Sequence, residues 1–294
     1  MKKFLAFVVS ALIAGVCAVT MAACSSTQKV KIIEIPLSSE QYGVAIAKEN
    51  TELKAEVNEV IELLAGEGIE YNGKTVTFNS LYNENKEASD KNEGISIGDV
   101  KTASTNRANE LVVATELGFA PFEYTVGNQI CGVDMHIAKI IADKLGKELV
   151  IVHMDFKVVV SSVAEGLADI ALAGLTISPD RLETVDFSTP YYDTTQYIAV
   201  SADNTAFDEC KTAEDVEAVL AELENATAGA AEAQTGYFYL TGSEDLGFDG
   251  FPNLEVKTYS TIALAVQDLV NGKLQVVSGD KDTLTAAVNS INKV

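Results

Sequence analysis

Strand-like and helix-like segments alternate along most of this chain, and that alternation restricts the fold more than any other feature. Short apolar runs typical of buried strands occur at 110–115, 148–154, 168–174 and 273–279. Between them lie amphipathic segments such as 132–146, in which isoleucine and leucine recur at helical spacing. This pattern predicts α/β units with largely parallel sheets. The 294 residues are enough for two lobes of about 100–150 residues each.

The first 24 residues have the order of regions found in an export signal. Lys2 and Lys3 precede the apolar run FLAFVVSALIAGVCAV, and small residues then lead to Cys24. That order is typical of a secretory signal peptide, and the cysteine after MAA resembles a bacterial lipobox. We therefore expect residues 1–24 to be a lipoprotein signal peptide with Cys24 lipidated. The alternative is an ordinary signal peptide with a chance cysteine.

Charge and cysteine content restrict the partners. The formal net charge of −22 repels nucleic acid, so no nucleic-acid partner is expected. Cys131 and Cys210 fall in segments that we assign to different lobes, so we expect two unpaired thiols. His136 and His153 have no neighbouring cysteine or histidine at metal-ligand intervals, so neither a metal nor another cofactor is expected.

Arg181 marks the expected binding site. It is one of only two arginines, and it follows the apolar strand ADIALAG at the start of a predicted helix. Ligands of parallel sheets bind at such strand ends and helix starts, and arginine holds a carboxylate with two parallel hydrogen bonds. Gly174 would allow close backbone approach, and Thr176 would add a hydroxyl and an N–H. The alternative is a surface ion pair of Arg181 with Asp180 or Glu183.

Further polar candidates follow other predicted strands. A second carboxylate contact is expected from Thr235 and Gly236 in AQTGYFY, where a helix could begin. Asp280 follows the strand LQVV and Glu116 follows LVVAT. Either carboxylate could pair with a cation such as the ammonium group of an amino acid. For each of them the alternative is a turn or N-cap carboxylate.

Two aromatic residues occupy matching places. Phe119 lies in ELGFAPFEY and Phe156 in MDFKVVV, each shortly after a predicted strand. Two such rings could enclose the aliphatic part of a ligand and exclude water. The alternative is that both are ordinary core residues.

The motifs that hold these residues resemble one protein family. VVATELGFAPFEY, GVDMHIAKIIADKLG, VHMDF and ADIALAGLTISPDRLETVDFSTPYY are similar to segments of the extracellular solute-binding proteins of polar amino acid ABC transporters. The likeness is specific over 110–200 and looser to about 284. It implies an α/β chain with the two-lobed periplasmic binding protein type II fold.

The resemblance also implies a role for each candidate. The residues implied to bind the ligand carboxylate are Arg181, Gly174, Thr176 and Thr235 with Gly236. The residues implied to hold the ammonium group, to enclose the ligand and to contact its side chain are Asp280, Phe119 with Phe156, and Glu116.

This chain departs from the family pattern at four positions. The turn before Thr235 carries Glu232 and Ala233 where small or polar residues are usual. Gln275 replaces an aspartate in the strand before Asp280, and Lys157 follows Phe156. These departures concern chiefly the carboxylate contact expected from the second lobe.

The order of the segments is unusual for the family. KVKIIEIPLSSEQYGVAIAKENTELKAEVNEVIELLAGEG, residues 29–68, resembles the section with which such chains usually end, and no such section follows Asp280. We therefore expect a circularly permuted chain order, in which the polar segment 83–107 joins the family's usual C- and N-termini. The alternative is a separate small domain over 29–82.

This order predicts two discontinuous lobes. Lobe one is expected at 43–82 and 108–197, lobe two at 29–38 and 203–294, and the hinges near 38–43 and 197–203.

The resemblance implies a function outside the cytoplasm. We expect a monomeric, lipid-anchored binding component of an ABC importer, which is not an enzyme and which delivers a polar amino acid to a membrane permease. Two alternatives remain open at this stage. One is a dehydratase similar to cyclohexadienyl or arogenate dehydratase on the same fold, and the other is a sensor that signals to a membrane receptor.

Overall fold

The computed structural model describes residues 29–293, which form an α/β structure with two five-stranded sheets. The expected signal peptide and Cys24 lie outside the described residues. The elements in chain order are β1 (Val30–Ile33), β2 (Glu40–Tyr42), β3 (Ala45–Ile46), α1 (Thr51–Ala65), β4 (Ile69–Tyr71), β5 (Lys74–Val76), α2 (Phe78–Asp90), β6 (Glu110–Thr115), β7 (Tyr124–Val126), β8 (Gln129–Cys131), α3 (Val133–Lys144), β9 (Glu148–His153), α4 (Phe156–Ala164), β10 (Ile170–Ala171), α5 (Pro179–Thr184), β11 (Asp186–Phe187), β12 (Tyr192–Thr194), β13 (Gln196–Ser201), α6 (Ala213–Glu222), β14 (Thr227–Ala231), α7 (Thr235–Thr241), β15 (Glu255–Tyr259), α8 (Ile262–Val270), β16 (Val276–Asp280) and α9 (Lys281–Asn292).

Lobe one is built on the sheet with strand order β11–β3–β10–β6–β9. β6 pairs in parallel with β9 and β10, whereas β3 pairs antiparallel with β10 and β11. All six residues of β6 are buried, as expected for a central strand covered by helices on both faces. Apolar residues of α1 and α3 pack in the core on one face, and those of α4 pack on the other.

Lobe two is built on the sheet with strand order β1–β13–β16–β14–β15. β13 pairs antiparallel with β1 and β16, and β14 pairs in parallel with β15 and β16. Helices α6 and α7 contribute to the core on one face, and α8 and α9 to the core on the other. β1 comes from the start of the described chain, so this sheet combines residues that are distant in sequence.

A pair of antiparallel strands connects the two lobes. β2 pairs with β12 through Glu40–Thr194, Gln41–Asp193 and Tyr42–Tyr192. β2 lies within the range 38–43 expected for one hinge. The other hinge was expected near 197–203, where Gln196–Ser201 forms β13 of the lobe-two sheet, and β12 precedes it. The apolar, largely buried run QYIAVS pairs on both sides, so the chain enters the sheet directly after β12.

Helix α2 replaces the first part of the expected linker. The segment 83–107 is expected to join the family's usual C- and N-termini, and its first residues belong to α2, which continues to Asp90. The hydroxyl of Thr77 caps the backbone of Ser80, and Ser80 caps Thr77 in return. Phe78, Leu81 and Asn85 recur at helical spacing and are buried. This narrow buried face is enough to stabilise a helix whose other residues are polar.

The remainder of the linker is bound to lobe one. Lys101 forms a bridge to β9, and the buried Glu110 accepts hydrogen bonds from Ser104, Thr105 and Asn106. Arg107 donates to the carbonyl oxygens of residues 166 and 167 and pairs with Asp169 at 2.9 Å. The connection is therefore a layer on the edge of lobe one.

The two ends of the described chain contact each other. The backbone N–H of Lys29 donates to the side-chain oxygen of Asn292 at 2.9 Å, and the N–H of Val30 donates to the same oxygen at 3.3 Å. The amide group of Asn292 donates in return to the carbonyl oxygen of Val30 at 3.0 Å. The start of β1 is thus fixed to the end of α9.

Two further observations concern the cysteine thiols and the length of the helices. Cys131 and Cys210 are free thiols, as expected. Within residues 29–293, none of the helices combines the length and the apolarity that crossing a membrane requires.

Asn292→Ala tests the contact between the chain ends. We expect the free energy of unfolding to fall by about 1–2 kcal/mol, because two backbone N–H groups and one carbonyl lose their partner. Urea denaturation measures the change. Asn289→Ala on the same helix is the control and should cost less than about 0.5 kcal/mol. Equal losses in the two variants would contradict a stabilising role for this contact.

Candidate functional site

Arg181 extends from α5 across the space between the lobes. Its guanidinium donates to the carbonyl oxygen of Thr176 at 2.8 Å and to that of Ala233, in lobe two, at 3.3 Å. The guanidinium carbon lies 5.4 Å from the centre of the Phe156 ring, within the range of a cation–π contact. Within the described chain Arg181 forms no ion pair with Asp180 or Glu183. Its positive charge is therefore directed at the cleft.

Two threonine hydroxyls meet between the lobes. The side-chain oxygens of Thr176 and Thr235 are 3.1 Å apart, and both residues are buried. Thr176 donates its hydroxyl proton to Glu40 at 2.9 Å. Thr235 is therefore the donor of the contact between the two hydroxyls.

The two glycine candidates have packing roles. Gly174 has a φ of +53°, and a Cβ there would lie 2.5 Å from the Phe119 ring. Its N–H donates to the buried Asp134 at 2.9 Å, so the amide is not directed at the cleft. Gly236 lies in α7, where a Cβ would be 2.8 Å from the carbonyl oxygen of Ser278 in β16. Close contact between helix and sheet explains glycine at 236.

Asp280 ends β16 inside the cleft. It is buried and accepts a hydrogen bond from the hydroxyl of Tyr42 at 2.6 Å. Burial, together with the negative charge of Glu40, raises the pKa of Asp280 to about 7. A cation placed at Asp280 would favour its charged form.

Glu116 directly follows β6 and is also buried. Burial raises the pKa of Glu116 to about 7, and the charge of Asp155 adds to the effect. The next turn brings Gly118 against lobe two, since a Cβ at Gly118 would lie 2.7 Å from the methyl group of Thr261. Glu116 is therefore covered where the lobes meet.

Seven of the nine expected ligand residues line one small cavity. Its volume is about 10 Å³, and an adjoining cavity of about 80 Å³ shares Thr176, Arg181 and Thr235. The residues that line the smaller cavity are Phe119, Phe156, Gly174, Thr176, Arg181, Gln234, Thr235 and Asp280. Since a single water molecule already needs roughly 10–15 Å³, an amino acid can enter only if the lobes move apart.

A larger groove lies elsewhere between the lobes. It encloses about 560 Å³ between the end of α2, the segment 118–126 and helix α9. None of the nine expected ligand residues lines it. Its lining includes Lys91 and Lys293, whereas Arg181 is the one cation that lines the small cavity.

Four residues of the site were not predicted from the sequence. Glu40 and Tyr42 come from the hinge strand β2, and Gln196 donates to Glu40 at 3.0 Å. Gln234 lines the small cavity, and its buried side-chain oxygen has no partner among residues 29–293. The spacing of Glu40 and Tyr42 in SSEQYG, two residues apart on a strand, places both on one face and could have indicated them.

Two departures from the family pattern compensate each other. Lys157 pairs with Glu232 at 3.1 Å across the mouth of the cleft. Glu232 therefore does not face the guanidinium of Arg181. Gln275 accepts a hydrogen bond from the N–H of Thr227 at 2.7 Å, where it joins neighbouring segments of lobe two.

Comparison with known proteins identifies similar chains. The model of the bacterial extracellular solute-binding proteins, family 3, matches residues 111–293. The arginine-binding extracellular protein ArtP of Bacillus subtilis is 33% identical over 107 residues, 36% of this chain and 42% of that protein. The octopine-binding periplasmic protein of Rhizobium meliloti is 26% identical over 194 residues, 60% of this chain and 63% of that protein. The chain thus spans less than two thirds of either relative.

A solved structure of a binding protein also matches this chain. The arginine-bound form of truncated ArgBP from T. maritima has a TM-score of 0.52 and 30% identity, and the match covers 63% of this chain and 79% of that one. Both relatives are named as binding proteins. They agree with the expected type II fold and with the expectation of a protein that is not an enzyme.

The buried carboxyl groups predict how stability depends on pH. The pKa is raised to about 7 for Glu116 and Asp280 and to about 6 for Asp134, and burial raises it well above the usual range for Glu123. The folded protein therefore keeps protons that the unfolded chain has released. The free energy of unfolding should fall as the pH rises from about 4 to about 7, by about 3 kcal/mol for a group shifted by two units.

Denaturation at a series of pH values measures this slope. Glu123→Gln should reduce the slope and raise stability at pH 8, because neither side-chain oxygen of Glu123 has a hydrogen-bond partner in the described chain. Glu183→Gln, at an exposed position, should leave the slope unchanged. Stability that rises over this pH range would show that the carboxyl groups are not held as described.

Proposed function

Because the chain belongs to the bacterial extracellular solute-binding proteins, family 3, whose model matches residues 111–293, we propose that it binds a cationic amino acid in the cleft between its lobes. The closed complex delivers the amino acid to the permease of an ABC importer. The protein acts as a monomer outside the cytoplasm, anchored to the membrane by a lipid on Cys24.

The balance of charge in the cleft is the observation that carries this proposal. Arg181 is the one cation that lines the two small cavities of the described chain, whereas Asp280 lines one of them, Asp180 and Asp245 line the other, and Glu40 accepts a hydrogen bond from Thr176, which lines both. An α-carboxylate satisfies Arg181, and an α-ammonium group satisfies Asp280. An excess of carboxyl groups then remains, and a cationic side chain complements it.

The names of the relatives agree with this class of ligand. ArtP and ArgBP are named as arginine-binding proteins, and the Rhizobium meliloti relative is named for octopine. We place the cationic end of the ligand near Glu116, a buried carboxyl group that directly follows β6. Phe119 and Phe156 enclose the aliphatic part.

Contacts across the cleft provide the means of closure. Arg181 reaches Ala233, Thr176 meets Thr235, and Lys157 pairs with Glu232. Each contact joins lobe one to lobe two, and all three lie at or beside the small cavity. A ligand that bridges Arg181 and Asp280 adds a further link between the lobes, so binding favours closure.

We also propose that the chain order is circularly permuted. Two observations support it: the hydrogen bonds between Asn292 and the start of β1, and the supply of β1 and β3 to two different sheets by the first described segment. In this order the lipid on Cys24 would hold the protein through lobe two, because only about six residues separate it from β1. The reach of such a segment is about 20 Å.

Replacement of Arg181 tests the ligand site. Isothermal titration of residues 29–293 should show binding of L-arginine or L-lysine and no binding of L-glutamate. Arg181→Ala should weaken binding at least about ten-fold, because the carboxylate loses a charged double hydrogen bond. Arg107→Ala, at the only other arginine and outside the cleft, should bind as the wild type does. Equal losses in both variants would mean that the carboxylate lies elsewhere.

Restoring the usual chain order tests the permutation. A chain that begins at 94, runs to 293, continues through a short turn into 29 and ends at 93 should fold and bind the same amino acid. We expect affinity within about three-fold of the wild type, because the folded contacts are the same. Thermal denaturation and titration measure this. A rearranged chain that does not fold would count against the permuted order.

A further inference from the structure

Glu40 lies on β2, and its carboxylate accepts hydrogen bonds from both lobes. Its side chain accepts hydrogen bonds from the hydroxyl of Thr176 in lobe one at 2.9 Å and from the amide of Gln196 in lobe two at 3.0 Å. Ser38, just before β2, donates to it at 2.6 Å. All its donors are uncharged, and within residues 29–293 Glu40 forms no ion pair.

The charge of Glu40 acts on the neighbouring ligand group. Glu40 is 7% exposed and Asp280 is 4% exposed, so water screens their repulsion weakly. Glu40 does not line the small cavity, and it therefore affects a ligand through its field and through Thr176. The other titratable groups that face Asp280 are Tyr42 and Arg181, with Glu123 behind them in lobe one.

We propose that Glu40 is a positioning residue that couples ligand binding to the hinge, holding Thr176 and Gln196 in the closed arrangement and strengthening the negative field at Asp280. This inference rests on the proposed function. The carboxylate of Glu40 accepts the proton of Thr176, which leaves the lone pairs of that hydroxyl free to accept from Thr235. It also disfavours the charged form of Asp280 until an ammonium group arrives. Glu40 thus makes the closed cleft selective for a cation.

The two contacts of Glu40 also explain its coupling to closure. Thr176 follows β10 in lobe one, and Gln196 begins β13 in lobe two. When the lobes rotate about β2 and β12, both hydrogen bonds can be kept only if the two donors stay near the hinge strand. Both hydrogen bonds of Glu40 can therefore form only within a narrow range of angles between the lobes.

Glu40→Gln tests the proposal by the pH dependence of affinity. Titration of the wild type with L-arginine from pH 5 to pH 9 should show affinity falling on the acid side as Asp280 takes up its proton. In Glu40→Gln, affinity at pH 8 should be about ten-fold weaker, because Thr176 and Gln196 lose a charged acceptor. We call the part of the affinity–pH curve that falls toward low pH the acid limb. In Glu40→Gln the acid limb should move to lower pH by about 1 unit, because Asp280 loses a negative neighbour.

Two further variants separate charge from structure. Ser38→Ala removes one uncharged donor, so its acid limb should coincide with that of the wild type. Glu40→Asp keeps the charge and shortens the side chain, so binding should weaken while the acid limb stays in place; this variant serves if Glu40→Gln does not fold. Thermal denaturation confirms folding of each variant.

The outcomes distinguish this inference from the proposed function. An acid limb in Glu40→Gln that coincides with that of a binding wild type would overturn the role of Glu40. A shifted limb in Glu40→Asp, or wild-type affinity in that variant, would also overturn it. Absence of any amino acid binding by the wild type would instead overturn the proposed function itself.

Discussion

The pairing of β2 with β12 is the constraint on which the rest of the structure depends. These two short strands carry the chain between sheets that are otherwise separate. β2 also supplies Glu40 and Tyr42, whose side chains contact Thr176 and Asp280 at the ligand site. The hinge and the site are therefore parts of one hydrogen-bonded unit. A change in the angle between the lobes must alter the surroundings of both carboxylates.

The excess of carboxyl groups over cations in this unit favours a cationic ligand. A buried carboxylate is costly unless a cation or several donors stabilise it. Glu40 is held by uncharged donors, whereas Asp280 and Glu116 have a pKa raised to about 7 by burial. Arg181 is held by carbonyl oxygens and its charge remains available. The cleft therefore combines one site for an anion with several for cations, which is the charge pattern of a cationic amino acid.

The sequence predicted the α/β lobes and most of the small cavity, because strand ends and helix starts converge at one edge of a sheet. Arg181, Asp280 and Phe119 follow this rule. The sequence does not indicate Glu40, because its hydrogen-bond partners Thr176 and Gln196 are distant in sequence and meet it only in the folded protein. The sequence also does not indicate the short strand β12, because the apolar residues of β13 follow it without a turn signal.

A crystal structure of residues 29–293 with bound L-arginine would show where the ligand binds. We expect the α-carboxylate on the guanidinium of Arg181, beside the hydroxyls of Thr176 and Thr235. The α-ammonium group should lie within hydrogen-bond distance of Asp280, and the ligand side chain should extend toward Glu116. A ligand seated in the larger groove beside α9, or with its carboxylate away from Arg181, would rule out the proposed binding site.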